Sequence, residues 1–332
     1  MLVSSVLGAI YWGMHGDAAS DNISPGGDNS SRQSSLSGSG PMLPLPPVPD
    51  LPAERVALGK RLFFDTRLSH DNTIACVNCH RLDRGGSDRQ TVSVGIDGKK
   101  GSVNAPTVFN SSLNFVQFWD GRAASLEEQA AGPVHNPLEM GSNWAEVIPK
   151  LGRDEDYRRE FARIYKQGMT GETIVDAIAT FERTLLTPNS PFDRYLRGEK
   201  DALNPLERSG LQRFLDYGCA SCHQGAGIGG NMFQRFGVMG SYLKDNAGQQ
   251  ADLGRFNVTK LDNDKNVFKV PSLRNVEVTA PYFHDGSAES LEEAVVIMGR
   301  YQLGREFSGE DVMALVAFLR TLTGEWEGKR LQ

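Results

Sequence analysis

The pentapeptides Cys76-Val77-Asn78-Cys79-His80 and Cys219-Ala220-Ser221-Cys222-His223 together use all four cysteines of the 332-residue chain. Two thiols three positions apart, followed at once by an imidazole, match the attachment signature of c-type haem. The thiols form thioethers with the vinyl groups and the histidine binds the iron. Taken alone, a Cys-x-x-Cys pair is also compatible with a redox dithiol or half a zinc site. Both copies carry the histidine, and no cysteine is left for a separate disulfide. The cysteine arithmetic therefore predicts two covalently bound haems, with His80 and His223 as iron ligands.

A haem iron held by one histidine needs a sixth ligand for simple electron transfer, or a free sixth position for chemistry. Met298 lies about two helical turns beyond Ser290, and a thioether there would make the second haem an electron relay. Read from periodicity alone, Met298 could equally be a core residue, and Met232, Met239 and Met313 are rivals. The matching position in the first half is Pro133, with Gln129 and Glu139 on either side of it. A carboxyl beside an open iron can carry a proton between the two oxygens of a peroxide, and an amide can orient that peroxide. For an isolated glutamate the plainer reading is a solvated loop carboxylate.

The elements that must position these residues read as helices and long loops. Residues 53–64 are amphipathic and lead into the first motif, and residues 207–217 lead into the second. Apolar spacing predicts further helices near 143–151, 155–166 and 171–186. Ser125-Leu126-Glu127-Glu128 is a capping box, Ser290-Leu291-Glu292-Glu293 is another helix start, and Ser308 opens a last helix running to Leu322. A longer repeat accompanies the two motifs. Residues 106–128 and 271–293 align without gaps at 10 identical positions of 23. The expected fold is mainly α, with two cytochrome c-like haem domains related by an internal duplication: residues 53–200 and residues 201–332.

Residues 1–14 are apolar but too few to span a bilayer, which needs about 20. They resemble an export signal or anchor, although no Lys or Arg precedes Arg32. Residues 15–52, rich first in Ser and Gly and then in Pro, read as a flexible linker and an extended tail, with the folded part beginning near Ala53. The net charge of −6 speaks against a nucleic-acid partner. Covalent haem attachment in bacteria is extracytoplasmic, which predicts a periplasmic location, either soluble or tethered by the N-terminus.

With these residues in view, the chain resembles the bacterial dihaem cytochrome c peroxidases, a family that includes the MauG enzymes. The likeness runs from about residue 50 to residue 324. It includes Asn104 to Asn110, Phe118 to Arg122, the segment 188–193, Pro281 to Gly286 and Met298 to Gly304. The resemblance implies reduction of hydrogen peroxide with electrons from a small c-type cytochrome or cupredoxin. It implies Met298 as axial ligand of the electron-accepting haem, Glu139 and Gln129 as peroxide-handling residues, and Trp119 as the ring between the haems. It further implies a calcium ion near Asn104, Thr279 and Pro281, and a homodimer. MauG-like enzymes, which oxidise tryptophans of a partner protein, carry tyrosine at the Met298 position. One departure stands out. Many members place a histidine, in a Val-Gly-His context, about sixteen residues after the first proximal histidine; here that residue is Ile96. Isoleucine cannot bind iron, so the first haem is expected to be open without prior reduction, unless His70 or His135 replaces the missing ligand. His284 is expected to pack near the second haem.

Overall fold

The computed structural model describes residues 40–242 and 252–332. The segments 1–14 and 15–39, read as signal and linker, lie outside the described residues. Helices dominate, joined by long irregular connections.

Helix α1 (Ala53–Phe63) turns Leu58, Gly59, Leu62 and Phe63 inward. It crosses a later helix so closely that a Cβ on Gly59 would stand 1.9 Å from the Ala177 carbonyl oxygen. Phe63 meets Phe181 edge-on at 5.4 Å. The partner helix runs from Gly171 to Glu182, and its N-cap Thr170 accepts from the Thr173 N–H. Between them stand α2 (Cys76–Cys79), α3 (Leu126–His135), α4 (Trp144–Gly152) and α5 (Glu155–Ile164), so the Gly171–Glu182 helix is α6. The second half repeats this crossing. In α8 (Pro205–Asp216), which follows α7 (Pro191–Leu196), a Cβ on Gly210 would stand 1.9 Å from the Ala314 carbonyl oxygen. Ala314 belongs to the last helix, Gly309–Arg320, where Phe318 packs on Phe214 at 5.2 Å.

Each crossing anchors its own apolar core. The first gathers Leu62, Phe63, Phe161, Ile178 and Phe181 and also receives Leu331 from the chain's end. Phe192, Leu211, Phe214, Phe318 and Leu322 form the second, which also receives Met42. Residues 41–45 are thus not part of a free tail. Met42 and Leu45 are buried, Gly225 N–H donates to the Pro41 carbonyl at 2.7 Å, and Leu43 N–H donates to the Gly225 carbonyl. Asp193 and Arg274 form a fully buried ion pair at 2.9 Å. They bind the Leu45 N–H and the Leu43 carbonyl respectively, both at 2.9 Å. Proline leaves such a segment few donors to satisfy, and its apolar residues find a groove to fill.

Several backbone features recur 165 positions apart. Asn110 and Asn275 have φ near +60°, a conformation asparagine tolerates. Phe118 and Phe283 have φ of 66° and 70°, costly for a bulky side chain and characteristic of functional turns. Gln117 and Tyr282 N–H groups donate to the Ala123 and Ala288 carbonyls, each at 2.8 Å. Ser125 and Ser290 then cap α3 and the helix Leu291–Ile297. A two-stranded ribbon, β1 (Phe233–Arg235) antiparallel to β2 (Val267–Lys269), sets Phe233 opposite Lys269.

Candidate functional site

The two Cys-x-x-Cys-His segments close the same tight turn. In the first, the His80 N–H donates to the Cys76 carbonyl at 2.9 Å; in the second, the His223 N–H donates to the Cys219 carbonyl at 3.0 Å. The Asn78 side chain secures the first turn by accepting from the Ala75 N–H at 2.8 Å. No cysteine is bonded to another. Burial pushes the Cys76 thiol up, and the Cys79 and Cys219 thiols up to about 11, so these three sulfurs are neutral. Burial also lowers the histidines of both motifs, His223 to about 4. Each imidazole is therefore neutral at physiological pH, the form that binds a metal. Each has its Nδ1 buried without a hydrogen-bond partner. Backbone groups of Gly86 and Pro106 surround His80, and those of Ile228 and Pro271 surround His223; the two prolines are again 165 apart.

A cavity of about 260 Å³ opens against Cys219, Cys222 and His223. Met298 lines it at the point where α9 (Leu291–Ile297) passes into a π-helical turn, Met298–Gln302. Such turns often mark functional positions. None of Met232, Met239 and Met313 lines this cavity, and Met239 and Met313 are exposed. A pair of unbridged thiols, a neutral buried imidazole and a thioether around one apolar space fit a covalently attached haem with a sulfur ligand. Bound there, a haem supplies a redox-active iron.

Trp119 also borders this cavity, as do Asn104, Pro106 and Thr107. Because Pro106 lies against His80 as well, the stretch 104–107 is a wall common to both motifs. The Trp119 ring is held by its Nε1–H, which donates to the Asn104 carbonyl at 2.9 Å. His284 stands edge-on to it at 6.4 Å and is buried on the cavity wall, as expected. Thr279 and Pro281 share that wall with Asn104. No cluster of three His, Cys, Asp or Glu side chains suited to a metal ion occurs among the described residues.

At the first motif, Glu139 is half-buried, and burial raises its carboxyl above the usual value of 4.5 against the opposing pull of Asn136 and Arg122. Asn136 Nδ2 donates to Glu139 Oε1 at 2.6 Å. The hairpin 93–101 docks beside it: the Ile96 N–H donates to the Glu139 carbonyl at 2.9 Å. Only glycine fits at position 95, because a Cβ there would stand 2.1 Å from the Leu138 carbonyl oxygen. The Ile96 side chain is buried near Gly141. Gln129 lies on α3, half-buried, and no hydrogen bond joins it to Glu139. His70 is exposed and bonded to Glu146 at 3.0 Å. His135 is exposed and packs edge-on to Trp144. Sequence reasoning missed Asn136, whose role needs the turn after α3 to be seen. It also missed Glu182, buried at the end of α6 near Cys76, where burial lifts its carboxyl to about 8.

Residues 53–201 match the family model described as di-haem cytochrome c peroxidase. Over 286 residues the chain is 48% identical to cytochrome c551 peroxidase of Nitrosomonas europaea, covering 86% of this chain and 84% of that protein. This chain belongs to the di-haem cytochrome c peroxidase family. It is also 50% identical over 287 residues to cytochrome c peroxidase Ccp of Escherichia coli, covering 86% of this chain. The match spans 61% of that longer relative. Among solved structures, a MauG-like protein associated with microbial copper homeostasis superposes with a TM-score of 0.77 at 31% identity, covering 85% of this chain and 94% of the other. Membership of this peroxidase family accounts for the pair of haem-attachment turns.

Proposed function

We propose that this chain reduces hydrogen peroxide to water in the periplasm, with electrons from a small c-type cytochrome or cupredoxin. One peroxide takes two electrons and two protons and leaves as two waters. The observation that carries this reading is the asymmetry of the two attachment turns. Met298 offers sulfur beside His223, whereas the segment of the first half that would supply a ligand carries Ile96, tied down beside Glu139.

Cys76, Cys79 and His80 hold one haem, and Cys219, Cys222, His223 and Met298 hold the other. Glu139 takes a proton from the nearer peroxide oxygen and delivers it to the farther one, so that water departs. Its burial supports the task, because a raised pKa makes the carboxyl a stronger proton acceptor for the first transfer, and the same group then returns the proton. Asn136 aims that carboxyl, and Gln129 orients the substrate. Trp119, on the wall between the two motifs, is the ring through which the halves communicate. Asn104, Thr279 and Pro281 offer backbone oxygens for calcium, a hard cation that takes such ligands. Two haem domains, 53–200 and 201–332, arose by duplication. The paired helix crossings and the features recurring at 165 residues support this. The protein acts as a homodimer, and the tail preceding residue 40 either leaves it soluble or tethers it.

A peroxide-consumption assay with reduced donor and fully oxidised enzyme tests the reading. Turnover from the first seconds without pre-reduction is expected. No consumption at all would leave a plain dihaem electron carrier. The absence of a histidine at Ile96 and the likeness to a MauG-like structure favour a second reading, oxidation of a protein partner. Met298 weighs against it, and oxidation of a partner without turnover of soluble donor would establish it.

A further inference from the structure

Lys269 ends β2 on the wall of the cavity at the second motif and is only 5% exposed. Its backbone N–H donates to the Trp119 carbonyl at 2.8 Å, which fixes the strand beside that ring. Among the described residues its ammonium has no hydrogen-bond or ion-pair partner, and no neighbouring charge acts on it; burial alone lowers its pKa, to about 8. The other cations on this wall are engaged. Arg235 donates to the Lys265 and Asn263 carbonyls, each at 2.7 Å, and Arg274 is paired with Asp193. No Asp or Glu lines the cavity, and its two histidines, His223 and His284, are both held neutral by burial. An unpaired buried ammonium is costly and rare. A site with a spare cation, no acid of its own and an otherwise apolar lining is built for a ligand that brings the anion. Haem carries two carboxylates on one edge.

We propose that Lys269 is the counter-charge for a carboxylate of the haem held by Cys219, Cys222 and His223. It is a positioning residue: it fixes how that haem is turned about its thioether anchors, with the anionic edge toward Lys269. The inference rests on the reading of this cavity as a haem site. Its positive charge also favours the reduced iron, and it cancels a carboxylate charge that would favour the oxidised one.

The test is a spectroelectrochemical titration of the Met298-ligated haem in the holoenzyme across about pH 6 to 9, for wild type, Lys269→Met and Lys269→Arg. In Lys269→Met the abandoned carboxylate is protonated at low pH and ionises as pH rises. Its midpoint should start near that of wild type and fall progressively below it. The gap should reach at least roughly tenfold in the reduction equilibrium, about 59 mV for one electron. Lys269→Arg should follow wild type. A Lys269→Met protein that keeps two haems per chain and tracks wild type at every pH overturns the proposal. Should that variant fail to fold, a crystal structure of the wild-type holoenzyme decides. Nζ within hydrogen-bond reach of a haem carboxylate upholds the proposal, and Nζ beyond about 4 Å from both carboxylates overturns it. A wild-type protein with one haem per chain would instead sink the reading of the cavity itself.

Discussion

Glu139 shows how far single residues were legible. As an isolated glutamate in a loop it carries no signal, and only its place in a family pattern marked it. The structure adds the physical reason it is suited to proton work: burial, with Asn136 at 2.6 Å to aim it. Glu139→Gln keeps the shape and removes the exchangeable charge, so peroxide turnover should fall by ~10²-fold or more. Steady-state assays check this, and unchanged turnover would remove Glu139 from the chemistry. The pH profile should carry the same signature. Below its pKa the carboxyl is already protonated and cannot accept from peroxide, so turnover is lost as pH falls through that value. Because burial raises the pKa, the acid limb of kcat/KM should lie above the ordinary glutamate range and vanish in Glu139→Gln. The attachment cysteines and histidines were legible outright, since covalent chemistry demands their types and spacing. Lys269 was not, because one lysine in a strand looks like any other until its surroundings prove to lack a partner.

At the level of elements, helices announced themselves through apolar spacing and caps: the segments expected near 143–151, 155–166 and 171–186 became α4, α5 and α6. Their crossings did not. Gly59 and Gly210 could have been read as helix weaknesses, whereas each lets two backbones touch. Gly210→Val should cost about 1–3 kcal/mol or more, because the clash is with backbone rather than a pliable side chain. Chemical denaturation checks it, and an unchanged midpoint would contradict the close crossing. Glu182, at the end of α6, offers a second test. Burial lifts its pKa from 4.5 to about 8, so the folded chain keeps a proton that the unfolded chain releases earlier. Folding is therefore penalised increasingly as pH rises between those two values, by roughly 2–5 kcal/mol in total. Glu182→Gln should be more stable than wild type at about pH 8 and show little difference near pH 4.5. Equal pH dependence of the two proteins would show that Glu182 is not the buried acid.

For the whole molecule, the two attachment turns stand in unequal surroundings. The hairpin 93–101 carries Ile96 and no histidine, and His70 and His135 are engaged with Glu146 and Trp144. Electron paramagnetic resonance of the fully oxidised holoprotein should show one high-spin and one low-spin haem. Two low-spin signals would contradict an open first site. The internal repeat made the paired turns at Asn110 and Asn275 foreseeable. The destination of residues 41–45 was not foreseeable, since proline-rich composition looks alike whether a segment is docked or free. The groove that receives it is assembled by residues far away along the chain.

That separation has a consequence for how the protein is made. A ribosome releases Leu45 148 residues before Asp193, and Leu43 231 residues before Arg274. The first-made side of this seam therefore cannot close until residues as distant as Arg274 are available to it. Until then Met42 and Leu45 travel as unburied apolar baggage, and a chain cut short of Arg274 has nowhere to put them.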